Sequence, residues 1–175
     1  RYSNTVGLST VLEGGGSFPG PGQFDEYRDY DAILALWRAQ ELTVRFRAHF
    51  QAWATSDGGI ETIQQRVDNT FPGLGDDMFQ VTGFGENIVW ETTPIQPLDL
   101  FVDAFTIAAE NGWLVHQHSI DAEELETHTT AIERVNGIYP IADLHWNLSH
   151  AQEIDDDILQ RLKAIGAGVA AQVHY

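Results

Sequence analysis

The chain has 175 residues, 43% of them hydrophobic, and a formal net charge of −17 from 26 acidic and 9 basic residues. That is enough chain and apolar content for one domain with a sizeable core, and the charge argues against nucleic acid and anionic membrane surfaces, whose phosphates such a surface repels. With no cysteine, disulfides, thiolate zinc sites and cysteine nucleophiles are excluded, so any metal must be held by His, Asp, Glu or water.

In chain order, residues 7–13 (GLSTVLE) are short, β-branched and apolar, and predict a buried strand ended by Gly14, Gly15 and Gly16. A Gly/Pro-rich loop follows. Residues 27–40 have helical spacing, with Tyr30, Ile33, Leu34 and Trp37 on one side. Residues 42–50 (LTVRFRAHF) alternate, with Val44, Phe46, Ala48 and Phe50 on one face and Thr43, Arg45, Arg47 and His49 on the other. A helix is expected over residues 58–69, a turn at 71–77, and a strand within 79–90 interrupted at Gly83 and Gly85. A helix over residues 98–111 ends at Gly112, where a C-terminal glycine belongs. A strand at 113–118 precedes a helix at 121–136 whose first turn is acidic, as the helix dipole favours. The pattern ends with a strand within 141–151, a helix over 155–165 closed by Gly166, and a strand at 167–174.

Strands and helices therefore alternate about six times with a repeat of roughly 30 residues, which predicts an α/β fold with a parallel sheet covered by helices. Pattern alone leaves a barrel and an open doubly wound sheet both open. No GxGxxG follows the first strand, which weakens a dinucleotide-binding reading. No apolar run approaches the roughly 20 residues of a membrane span.

Two histidines close strands: His118 ends WLVHQH and His150 ends ADLHWNLSH. In α/β folds the C-terminal strand ends carry the active site, and two imidazoles from separate strands can share one zinc ion. His116 lies two residues before His118, on the same face of the strand, so HxH is a possible chelate. A single such histidine is more often a core residue bonded to nearby backbone. Two at matching strand ends make the ligand reading equally good. Near other strand ends, Gln152, Gln172 and His174 are candidates to face substrate, with loop anchoring as the plain alternative. Trp146 is expected in the core.

The segment SHAQEIDDDILQRLKAIGAGVAAQVHY (149–175) resembles the sixth and seventh barrel strands of the YtcJ-like branch of the amidohydrolase superfamily. AAENGWLVHQHS (108–119) resembles their fifth strand, GLSTVLEGGG an earlier strand, and LTVRFRAHF their L-T-V-R strand. The resemblance runs in order along nearly the whole chain. It implies a TIM barrel, here a single partial domain over 1–175 without the first and last barrel strands. The function it implies is a metal-dependent hydrolase acting on amide or other C–N bonds of a small molecule, through water activated by a divalent metal, zinc foremost. His118 and His150 match the fifth- and sixth-strand ligands, and His116 and Glu86 are further candidates. Glu86 lies in the fourth-strand region, where the family often has a lysine; the only lysine here is Lys163, in a helix. A glutamate in a Gly-rich stretch is more often simply solvated. The family's catalytic aspartate is expected outside this chain, so the chain alone is expected to be nearly inactive. Open sheet edges predict a homo-oligomer, and a cytoplasmic location is expected. The competing reading is a non-catalytic fragment or remnant of such a barrel that folds and self-associates.

Overall fold

The computed structural model describes residues 2–14, 30–90 and 94–172. In chain order its elements are α1 (Tyr2–Thr5), β1 (Thr10–Glu13), α2 (Asp31–Arg38), β2 (Arg45–Phe50), α3 (Ile60–Asn69), β3 (Leu74–Gly75), β4 (Phe79–Glu86), α4 (Leu98–Glu110), β5 (Leu114–Ser119), α5 (Ala122–Asn136), β6 (Asn147–His150), α6 (Asp156–Ala164) and β7 (Gly168–Ala171). Six strands pair in parallel in the order β1-β2-β4-β5-β6-β7, and the two-residue β3 pairs antiparallel with β4. The order never reverses. A doubly wound sheet has a switch point where strand order turns back; here each βα unit lays its strand beside the last, which is the winding of a barrel. The described strands form a curled half-barrel with helices outside.

The alternation in β2 holds: Phe46, Ala48 and Phe50 are buried, and Phe46 packs against Tyr30 and Phe79 at ring separations of 6.2 and 5.9 Å. Under α4 the core is aromatic. Phe84 and Trp113 lie 5.4 Å apart, and Phe105 meets Trp146 edge-on at 5.6 Å. Trp146 is a core residue, with its indole N–H donating to the Trp113 carbonyl at 2.8 Å. Burying each such ring contributes roughly 2–3 kcal/mol. The acidic first turn of α5 forms a capping box. Asp121 accepts from the Glu124 N–H at 2.9 Å, and the Glu124 carboxylate accepts from the Asp121 N–H. Gly112 follows α4 with φ +71°, the left-handed conformation that ends a helix.

Three boundaries differ from the sequence pattern. The first strand starts at Thr10 and is not the buried strand the pattern predicts, since Thr10 and Leu12 are exposed. The expected turn at 71–77 contains β3. The stretch 141–151 becomes a 3₁₀ turn at Ala142–Leu144, then His145 at φ +56°, so only Asn147–His150 is extended. Among the described residues no helix is long and apolar enough to cross a membrane.

Candidate metal centre

Glu86, His118 and His150 stand at the C-terminal ends of the three adjacent strands β4, β5 and β6. Each arrives there for a local reason. His118 follows from plain alternation along β5. Glu86 depends on Gly85, which has φ +143° and passes so close to β5 that a Cβ would sit 2.2 Å from the His116 carbonyl oxygen. Only glycine permits that approach, so the glycines expected to interrupt the strand instead lie within it. His150 and Ala151 both adopt positive φ, +65° and +49°. Strict alternation would point Ser149 and His150 to opposite faces. The left-handed twist, which costs on the order of 1 kcal/mol, brings both onto Glu86.

The Glu86 carboxylate is the hub. Its Oε1 lies 3.1 Å from His118 Nδ1, accepts from Ser149 Oγ at 3.0 Å, and contacts His150 Nε2. The two imidazoles lie with centroids 4.4 Å apart at 60°. Side-chain exposure is 30% for Glu86 and 24% for each histidine, so the cluster is open on one side. The hydrogen bond from His118, that from Ser149 and the charges of both histidines outweigh desolvation and hold the Glu86 carboxyl down at about 2.

One ligand atom from each of the three residues lies within 4.8 Å of the others. Nitrogens sharing one zinc ion stand roughly 3–4 Å apart, and catalytic zinc sites commonly use three protein ligands drawn from His and carboxylates. The donor set therefore fits a divalent cation with small adjustments. Gln172 Oε1 lies 2.5 Å from His150 Nδ1, on the side of the ring away from Glu86. Behind β5, Ser119 Oγ is 2.6 Å from Nδ1 of His128, a fully buried ring 4.4 Å from Phe101. Burial drives the His128 pKa down to about 3. His49, also fully buried, falls to about 3 through burial and the neighbouring His116.

Of the other candidates, His116 lies outside the cluster. Its ring packs 5.8 Å from His49, one layer deeper in the half-barrel, and burial lowers its pKa. Gln152 is exposed in the turn after β6. His174 lies outside the described residues. Gln172 contacts a histidine of the cluster, and Ser149, which the strand pattern gave no reason to single out, contacts Glu86 directly. A clue to Ser149 lay only in its place beside His150.

A curled parallel sheet with a Glu-His-His cluster at its C-terminal edge defines a (β/α)-barrel protein with a candidate metal centre. The sequence model of the amidohydrolase family matches residues 5–175, and the chain belongs to that family. Among solved structures it is similar to an uncharacterized metal-dependent hydrolase from Pyrococcus furiosus, at 15% identity and TM-score 0.67, covering 98% of this chain and 36% of that one. It is also similar to atrazine chlorohydrolase from Arthrobacter aurescens, solved with zinc, at 18% identity and TM-score 0.58, covering 98% and 40%. At these identities the likeness is one of fold. The chain spans 36–40% of the length of these structures. No curated protein matches it.

Proposed function

We propose that this chain carries the metal-holding strands of a hydrolase that acts on amide or other C–N bonds of small molecules, with Glu86, His118 and His150 as ligands of one divalent cation. Zinc is the preferred ion, since two imidazoles and a carboxylate suit it. The observation that carries the reading is the convergence of three donor atoms within 4.8 Å at adjacent strand ends, where barrel enzymes place their chemistry. Family membership supports the reaction class, and the motifs in residues 108–119 and 149–175 support the YtcJ-like branch.

A divalent cation there supplies Lewis acidity, making water nucleophilic near neutral pH and polarising the scissile group. The chain's own residues prepare the place. Glu86 stays ionised across the physiological range and brings negative charge to the ion. Ser149 holds its carboxylate toward the two histidines. His118 offers Nδ1 and His150 offers Nε2, the nitrogens that face Glu86. Burial keeps His49, in the layer beneath, and His128, behind β5, neutral.

The test is zinc binding by competition with a chromophoric chelator. The reading expects one ion per chain, and a fall of at least about 100-fold in affinity for Glu86→Gln and for His150→Ala, since each removes one of three ligands. Undiminished affinity in both variants rejects the assignment. Assaying the longest natural chain on a panel of amides and N-acyl amino acids, with and without chelator, then tests the reaction class.

A further inference from the structure

We propose that Gln172 is a positioning residue for this centre, fixing His150 in the tautomer and orientation that present Nε2; this rests on the metal reading above. A neutral imidazole has one lone pair to give, and the hydrogen bond at the other nitrogen decides which. Gln172 Oε1 lies 2.5 Å from His150 Nδ1. A carboxamide oxygen only accepts, so Nδ1 carries the proton and donates it. Nε2, on the opposite side of the ring, faces the Glu86 carboxylate, an acceptor that competes with Gln172 for the ring proton while no ion is bound; a cation held at Nε2 would remove that competition and leave the proton at Nδ1.

The main chain grips the same residue. The Gln172 N–H donates to the His150 carbonyl at 3.2 Å, continuing the pairing of His150 with Ala171. Both arms of one residue thus converge on His150. That residue needs them, because its left-handed backbone takes it out of the regular strand and alternation no longer aims its ring. His118 reaches Glu86 through Nδ1, so the two histidines present different nitrogens, and at His150 the nitrogen turned away from Glu86 is held by Gln172. Gln172 is exposed, and an exposed hydrogen bond adds little to folding. Its effect belongs in metal affinity more than in stability.

The experiment uses the whole chain labelled with ¹⁵N and loaded with zinc, with Gln172→Leu and Gln172→Glu beside wild type. The Nδ1–H proton of His150 is expected to be hydrogen-bonded and slow to exchange with water in wild type and in Gln172→Glu, and to be lost to fast exchange in Gln172→Leu. Zinc affinity is expected to fall roughly 10–100-fold in Gln172→Leu, to return in Gln172→Glu, and to leave the thermal midpoint nearly unmoved. A fast-exchanging Nδ1–H in zinc-bound wild type overturns the inference, as does unchanged affinity in Gln172→Leu. Equal losses in both variants indicate a packing role and overturn it too. If wild type binds no zinc, the metal reading fails and this inference with it, whereas wild-type binding that Gln172→Leu leaves unchanged sinks the inference alone.

Discussion

Acidifying the metal-free protein from about pH 7 to about pH 5.5 is expected to cost about 2.5 kcal/mol of folding stability through His49 and His128. Both rings are fully buried, and burial lowers each pKa from 6.5 to about 3. In the unfolded chain both take up a proton as the pH passes through 6.5, whereas in the folded protein neither does. Their contribution is therefore complete above the unfolded pKa and is lost progressively as the pH falls toward 3. Over this window the linkage comes to about 1.2 kcal/mol for each histidine. His116, also lowered by burial, adds in the same sense. Glu86 is silent here: its pKa falls from 4.5 to about 2, so its stabilisation is lost only at more acid pH. Urea unfolding at the two pH values, with chelator present and two-state behaviour verified, measures the loss. His128→Gln removes one titrating group, and comparing each protein with itself cancels the change in packing. The variant is expected to lose about 1.2 kcal/mol less than wild type on acidification. An equal loss in variant and wild type would refute the assignment of His128 as a buried neutral ring.

Gly85→Ala places a Cβ 2.2 Å from a backbone carbonyl at φ +143°, and is expected to destabilise by on the order of 4 kcal/mol in urea unfolding and to weaken zinc binding by displacing Glu86; a loss under about 1 kcal/mol contradicts that close approach. Asp121→Ala removes the cap of α5 and is expected to cost about 1 kcal/mol by the same measurement. We further propose that the chain self-associates through its outer strands β1 and β7, where Leu12 is 48% exposed. Light scattering is expected to give dimers that strengthen with salt, because a charge of −17 per chain opposes contact, and Leu12→Glu is expected to shift them to monomer; a wild-type monomer at high concentration and salt removes the proposal.

The sequence by itself determined the order and kind of most elements. Periodicity in β2, α4, α5 and α6 reflects which side of each element is dry, and that is written locally. It also marked His118 and His150 as a pair, because both close apolar strands. It did not decide between barrel and open sheet, since that depends on strand order, which became visible only when β1 through β7 were seen to follow one another without reversal. Nor did it raise Glu86 above a solvated glutamate. That residue's place depends on Gly85 lying against the His116 carbonyl, a contact between residues 31 apart in sequence. Ser149 stayed hidden for a related reason, and Gln172, a candidate to face substrate, was not placed against His150. Alternation predicts where a side chain points only while the backbone stays extended, and at His150 it does not. Tertiary pairing of β6 with β5 and β7 holds that residue in a conformation its own sequence disfavours, and this turns Ser149 and His150 toward Glu86 and sets Gln172 against the far side of the His150 ring.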